Sequence, residues 1–256
     1  MSRIFITGSS EGLGLMAGQL LVAQGHKVVL HARNATRAAD ARAALPDAGI
    51  VEGDVATLAG MRAVAEQANA LPPFDAVIHN VGIGYREPRR IETADGLPHV
   101  FAINVLAPYV LTALMRRPRR LVYLSSGMHH HVQARLDDLL WQQRRWDGST
   151  AYAETKLYDT MLAFAIAHRW PDVIATALEP GWVPTRMGGA SAPDDMDLAH
   201  RTQGWLAASD DPEAQVSGRY FHHQRERAAN RQASDEALQS QLLARCAELS
   251  GIHMPS

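Results

Sequence analysis

Tyr152 and Lys156 stand four residues apart in Tyr152-Ala153-Glu154-Thr155-Lys156, inside a stretch of helical period, Ala151–His168. At that spacing a phenol and an ammonium share one helix face and can meet at a single substrate atom. A phenol with a pKa near 10 is a poor proton-transfer group at neutral pH. An ammonium ~4 Å away, at an effective dielectric of ~20, favours the phenolate by ~4 kcal/mol, about three pK units, which would bring Tyr152 near 7. The chemistry is then proton transfer at a carbonyl or hydroxyl oxygen. A solvated surface pair is the plain alternative. Lys27 and Lys156 are the only lysines among 25 basic residues, so an ammonium retained at 156 is itself a pointer.

A second group of residues lies near the start. Thr7-Gly8-Ser9-Ser10-Glu11-Gly12-Leu13-Gly14 follows an apolar run and opens into an amphipathic segment. Glycines there let the backbone turn tightly and approach a diphosphate, whose charge meets free N–H groups at a helix N-terminus. In dinucleotide folds an acidic residue about 20 positions further on holds the ribose hydroxyls, and an arginine there accommodates a 2′-phosphate. Here Ala32 is followed by Arg33, a guanidinium with no carboxylate beside it. NADP(H) is therefore expected over NAD(H), with Glu11 weighing toward the latter.

The elements that must position these groups follow from the pattern of apolar runs. Ile4–Thr7, Val28–His31, Ile50–Asp54, Ala76–Asn80, Leu121–Ser125, Val173–Leu178 and Gly218–Phe221 read as strands. Leu13–Gln24, Leu58–Ala70, Val100–Met115 and Ala151–His168 read as helices between them. Strand and helix in alternation predict an α/β Rossmann fold, a seven-stranded parallel sheet with helices on both faces. Three stretches without a clean period, 83–98, 127–150 and 184–200, each follow the carboxyl end of a strand, where open α/β sheets bind ligands.

At 256 residues with 46% hydrophobic and 20% charged residues, the chain is expected to form one domain, 1–256, with a large core. A formal charge of −2 gives no general attraction to nucleic acid or anionic lipid. No run reaches the length of a membrane span, and no secretory signal opens the chain, so a cytoplasmic location is expected. The single Cys246 makes no internal disulfide and reads as a small core residue.

The glycine turn and the Tyr–Lys pair together resemble the short-chain dehydrogenase/reductase family, and the likeness runs along nearly the whole chain. His79-Asn80-Val81-Gly82 is similar to the family's Asn-Ala-Gly segment, which supports the sheet and lines the cofactor cleft. Asp54-Val55 resembles its adenine contact. Asn104 matches the helix asparagine that holds a water beside the lysine. Ser126 matches the catalytic hydroxyl, with Ser125 as the other option. Pro180-Gly181-Trp182-Val183-Pro184-Thr185 resembles the segment that holds the nicotinamide amide through the Val183 backbone and the Thr185 hydroxyl. Within the family the likeness leans toward the branch with retinol dehydrogenases and WW-domain oxidoreductase. Thr93–Leu97, the long 126–152 segment and the ending from Gly218–Phe221 to Ala247–Gly251 carry it.

The resemblance implies the catalytic set Asn104, Ser126, Tyr152 and Lys156. The cofactor residues would be Thr7, Gly8, Ser10, Glu11, Gly12, Leu13, Gly14, Arg33, Asp54, Val55, Asn80, Val81, Gly82, Tyr152, Lys156, Pro180, Gly181, Val183 and Thr185. The activity implied is hydride transfer between NADP(H) and a carbonyl or secondary alcohol of a small, fairly apolar molecule. A redox sensor or scaffold that binds NADP(H) without turnover is the alternative. A sugar-nucleotide epimerase is disfavoured by the short chain after Pro180. Glu179, where the family usually has a neutral residue or histidine, is a departure. The family's homodimer or homotetramer is an option, weighed down by the short stretch between Asn104 and the fifth strand.

Trp141, Trp146, Trp182 and Met187 are candidates for an apolar pocket lining, with Trp141 and Trp146 as simple anchors for 127–150 the equal alternative. His129-His130-His131 and His222-His223 read as solvated loop rims with no metal expected. Arg116-Arg117-Pro118-Arg119-Arg120 reads as a hydrated turn and not a nucleic-acid patch.

Overall fold

The apolar runs become the central strands of one sheet in a computed structural model that describes residues 1–256. In chain order these are β1 (Arg3–Ile6), β2 (Lys27–Ala32), β3 (Gly49–Glu52), β4 (Ala76–His79), β5 (Arg120–Leu124), β6 (Ile174–Glu179) and β7 (Arg219–His222). They lie parallel in the order β3-β2-β1-β4-β5-β6-β7. Val, Ile, Leu and aromatic side chains fill both faces of β1, β4 and β5, the mark of a sheet covered on two sides.

The expectation of seven strands, all parallel, needs one correction. An eighth strand, β8 (Arg225–Arg227), pairs antiparallel with β7 at the sheet edge. Its Arg-Glu-Arg is fully exposed and carries no apolar signal. The turn before it, His223-Gln224, takes positive φ at both residues without a glycine, so nothing local announced a hairpin.

One layer of helices comprises α1 (Gly12–Ala23), α2 (Ala35–Ala44) and α8 (Arg201–Ala208), packed over Ile4, Ile6, Val28 and Leu30. The other layer comprises α3 (Leu58–Ala70), a broken helix, and α6 (Gly148–Arg169), packed over Phe5, Val29, Val77 and Leu121. The broken helix runs as α4 (His99–Phe101), a π-helical segment Ala102–Leu106, and α5 (Ala107–Leu114). Between β6 and α8 lies the short α7 (Met196–Ala199).

Residues 151–166 of α6 are all buried, because α9 (Glu236–Ser250) covers the side turned away from the sheet. Cys246 of α9 is fully buried in this layer and burial pushes its thiol up, in line with a core role. The chain after α9 is pinned by Tyr109 Oη donating to the Ile252 carbonyl and by Arg169 donating to the Pro255 carbonyl.

The arginine cluster before β5 is the exposed turn expected at Arg116, Arg117 and Arg119, and its guanidiniums also make contacts. Arg116 donates to the carbonyls of Asn69 and Leu71, Arg117 lies over the Trp170 ring, and Arg120 donates to the Leu206 carbonyl. Guanidiniums there tie the end of α5 to its neighbours. No helix is long and apolar enough to cross a membrane.

Candidate active site

The glycine turn sits at the carboxyl end of β1, where the chain must leave the sheet and enter α1 at once. Gly8 has φ +59°, and a Cβ on it would lie 2.7 Å from the Val81 Cα. A Cβ on Gly14 would lie 2.5 Å from the Asn80 Nδ2. Asn80 donates from that same atom to the carbonyls of Thr7 and Gly8, and Val81 N–H donates to the Thr7 hydroxyl, so the end of β4 holds the turn in shape. His31 reaches across from β2, accepting from Gly8 N–H and bonding the Gly53 carbonyl. No side chain caps α1, which leaves its first N–H groups for a ligand. The turn has the shape and the donors that a diphosphate needs.

Around it, Ser10, Leu13 and Gly82 are half-buried and Arg33 is exposed just past β2. Asp54 lies beyond β3 with its carboxylate accepting from Ala56 N–H, while Val55 is buried. Glu11 does not stand unopposed: Arg37 lies 3.0 Å and Arg186 3.3 Å from its carboxylate. Arg37 went unremarked in the sequence because a one-turn offset on α2 only gains meaning once α2 packs beside the glycine turn.

Asn104 occupies the π-helical segment, where one extra residue per turn redirects a side chain inward. It is fully buried. Its Oδ1 accepts from Ile83 N–H at 2.8 Å, and its Nδ2 donates to the Ile83 carbonyl and the Thr155 hydroxyl. The side chain thus ties the 83–98 segment to α6.

The two serines after β5 part company. Ser125 is buried and its hydroxyl donates to the Lys156 carbonyl at 2.7 Å. Ser126 is half-buried, accepts from Met128 N–H, and is the serine whose hydroxyl acts on the Tyr152 phenol, drawing it down.

Tyr152 lies on the first turns of α6, 6% exposed, with the Tyr85 ring edge-on at 5.7 Å. Lys156 Nζ is 5.7 Å from the Tyr152 ring centroid and donates to the Leu124 carbonyl and to Asp159, each at 2.8 Å. The surroundings of Tyr152 work against the acidity expected of it. Burial pushes the phenol up, and the opposing pulls of the Lys156 charge and the Ser126 hydroxyl do not offset it. The expectation counted the ammonium alone, whereas here the Asp159 carboxylate shares it and burial adds its own cost to the phenolate. Burial also pushes Asp159 up, to about 7, against the pull of Lys156. For Lys156, burial acts against the charge, but Asp159 and Tyr152 more than compensate and its pKa is raised.

Trp141, Val100 and Ala151 pack with Tyr152, and Ile83, Tyr85, Met128, Trp146 and Met187 pack against them. Trp141 and Trp146 meet edge to face at 5.3 Å, and Trp146 donates to the Glu87 carbonyl. They both anchor 127–150 and line the wall beside Tyr152. Trp182 does not: it is 54% exposed, with its indole N–H on the Gly188 carbonyl.

Gly181, at φ +89°, carries the chain from β6 into this wall. The Val183 carbonyl accepts from Thr185 N–H, and the Thr185 hydroxyl accepts from Gly188 N–H. Glu179 sits under the turn after Ser126, close enough that a Cβ on Gly127 would lie 2.6 Å from its carboxylate, with His222 Nδ1 3.7 Å away.

The expected histidine rim also needs correction. His129 is fully buried, with Nδ1 on the Ser126 carbonyl and Nε2 accepting from Asn230 N–H, and burial lowers it to about 4. Its neighbours His130 and His131 are exposed. His222 and His223 are half-buried and stack at 3.8 Å. No group of three or more His, Cys, Asp or Glu could hold a metal ion.

Comparison with known proteins fits this arrangement. A family model described as short chain dehydrogenase matches residues 2–122. A protein of Emericella nidulans named as an uncharacterized oxidoreductase is 45% identical over 260 residues, 100% of this chain and 99% of the relative. A short-chain dehydrogenase of Gibberella zeae is 37% identical over 261 residues, with both chains covered in full. The chain belongs to the short-chain dehydrogenase family. Among its members this dehydrogenase stands near the retinol dehydrogenases: human retinol dehydrogenase 13 is 27% identical over 286 residues, 99% of this chain and 86% of the relative. In fold it is similar to a crystal structure from Mycobacterium paratuberculosis (TM-score 0.85, 24% identity, 100% and 96% covered). It is also similar to a metagenomic blue fluorescent protein in complex with NADPH (TM-score 0.70, 22% identity, 86% and 95% covered).

Proposed function

We propose that this chain is an NADP(H)-dependent reductase of a carbonyl group on a small, fairly apolar molecule, with Tyr152 as the proton donor. The observation that carries this reading is Tyr152, buried one turn before Lys156 on α6 and packed into the wall of Ile83, Tyr85, Trp141 and Met187, with Ser126 among the groups that act on its phenol. Arg33, exposed just past β2, supplies a guanidinium for a 2′-phosphate, and Arg37 neutralises Glu11 beside the glycine turn, which together are the support for NADP(H) over NAD(H).

The glycine turn and the start of α1 would hold the diphosphate, and Gly82 and Lys156, whose Nζ would stand 3.5 Å from a Cβ on Gly82, would face the ribose. A bound nicotinamide dinucleotide supplies or accepts the hydride. Ser126 orients the substrate oxygen and donates to it as negative charge grows there. Tyr152 gives that oxygen its proton, so the carbonyl carbon gains hydride, the oxygen gains a proton, and an alcohol results. Asn104 keeps the Ile83 backbone against α6 and so sets the near wall. The apolar lining excludes water and favours a substrate with little charge around the reacting carbonyl.

The test is NADPH oxidation with a panel of aldehydes, ketones and quinones. Tyr152→Phe should keep nucleotide binding and lose turnover on whichever compound the parent reduces. Nucleotide binding with no turnover on any compound would instead support the sensor or scaffold reading.

A further inference from the structure

The wall beside Tyr152 is apolar where Ile83, Trp141 and Met187 form it, but the ends of β6 and β7 bring a polar group against the turn that carries Ser126. Glu179 ends β6, beside His222 of β7 in the sheet register. Its carboxylate lies against Gly127, where a Cβ would come within 2.6 Å of Oε2, so a side chain at 127 would take the space that the carboxylate occupies. Glu179 is 20% exposed, and its contact with His222 Nδ1, at 3.7 Å, is beyond hydrogen-bond reach.

Tyr220 comes to the same place from β7. It pairs with Ala177, whose small side chain leaves room, and its ring packs on His129 at 4.8 Å. The side chain is 1% exposed. Its hydroxyl stands close enough to Glu179 and Ser125 for both to act on it, yet it has no hydrogen-bond partner. A buried phenol hydroxyl without a partner is costly, and a half-buried carboxylate beside it adds to the cost. One group that donates to the carboxylate and accepts from the phenol would satisfy both. A hydroxyl does so. An ammonium only donates and leaves Tyr220 unsatisfied, whereas an ether oxygen only accepts and leaves Glu179 unsatisfied.

We propose that Glu179 and Tyr220 form a polar subsite beside Ser126 for a hydroxyl carried by the carbonyl substrate, so that the substrate class is hydroxy ketones and hydroxy aldehydes. The hydroxyl donates to the Glu179 carboxylate and accepts from the Tyr220 O–H, while the reacting carbonyl oxygen lies at Ser126 and Tyr152. This deepens the reading of the chain as a carbonyl reductase and rests on it. A hydroxyl also leaves the substrate uncharged, in keeping with the apolar remainder of the wall.

The experiment compares matched compounds with NADPH and the full chain. Aryl and alkyl ketones bearing a hydroxyl at successive positions are each set against the methyl ether, the amine and the unsubstituted ketone. Where the hydroxyl fits, its kcat/KM should exceed that of the ether and of the unsubstituted ketone by about ten- to a hundredfold, the worth of a hydrogen bond to a charged group. That ratio should shrink by about tenfold in Glu179→Gln, which loses the charge, and by about threefold or more in Tyr220→Phe, which loses only the hydroxyl. NADPH affinity, read by fluorescence titration, should follow the parent in both.

Equal kcat/KM across every set in the parent overturns the proposal, whether or not the variants fold, and leaves the reductase reading in place. A preference for the amine overturns it too, as does a hydroxyl preference that both variants retain. A loss confined to NADPH affinity, with the ratio unchanged, would assign Glu179 to the cofactor and overturn the subsite. If no carbonyl compound is reduced, the reductase reading falls and the subsite falls with it.

Discussion

Replacing Arg144 by methionine should loosen the wall beside Tyr152. Its guanidinium donates to both Glu154 oxygens, at 2.6 and 3.0 Å, and to Asp138 at 3.1 Å, and lies 3.8 Å from the Trp141 ring centroid. Glu154 and Asp138 are 3% and 2% exposed. Removing one member of a buried ion pair costs about 3–5 kcal/mol because the other charge is left without a partner. Arg144 keeps a fifth of its side chain in water, and water can follow into the gap, so the lower end applies, about 3 kcal/mol. For a chain of this size that is a fall in Tm of roughly 6–12 °C.

The pH dependence has a definite sign. Burial already raises Glu154 even with Arg144 opposing it, and without Arg144 it rises further. A carboxyl whose folded value is raised is most stable below its unfolded value and loses that advantage as pH climbs through the folded one. The deficit of Arg144→Met should therefore shrink on going from pH 7 to pH 5. Adding Glu154→Gln should recover a large part of it at pH 7. A loss under about 2 °C, or a deficit independent of pH and of Glu154, would refute the view of this network as a charge-paired anchor.

Three shorter expectations follow from other parts of the chain. Gly14→Ala should weaken NADPH binding strongly while costing about 1–3 kcal/mol of stability, because the new Cβ would displace Asn80 from the glycine turn; nucleotide titration and urea unfolding check it. Arg33→Ser should raise KM for NADPH by about tenfold or more and leave KM for NADH nearly unchanged, the loss of a charged hydrogen bond being worth roughly 1.5–3 kcal/mol. His79, lowered by burial to about 3, and His129, lowered by burial to about 4, are held neutral in the fold. Their contribution is complete above about 6.5 and is lost as pH falls toward those values, by up to about 1.4 kcal/mol per pH unit for each. Unfolding curves between pH 7 and 4 should show it, with a shallower slope in His79→Gln.

The strands of the parallel sheet were legible to within a residue or two because the central ones, buried on both faces, are written as uninterrupted apolar runs and the outer β3 and β7 keep short apolar runs of their own. β8 was not, since Arg225–Arg227 owes its conformation to β7 alone. The π-helical segment at Ala102–Leu106 left no trace in periodicity, as one extra residue in a turn blurs a pattern without breaking it. His129 shows the same limit in a side chain: three adjacent histidines look like a wet loop until the turn folds one of them under Asn230.

Residue types and local spacing determined the glycine turn, the alternation of strand and helix, and the placing of Tyr152 and Lys156 on one helix face. These depend on dihedral preference and helical period, which act over a few residues. Three-dimensional packing alone decided that Ser125 turns onto the Lys156 carbonyl, that Arg144 locks the wall, and that burial opposes the pull of Lys156 on Tyr152. Each of those rests on desolvation and on charges brought together from β5, α6 and the long segment between them. Both effects depend on how much water remains around a group, and no stretch of sequence carries that quantity by itself.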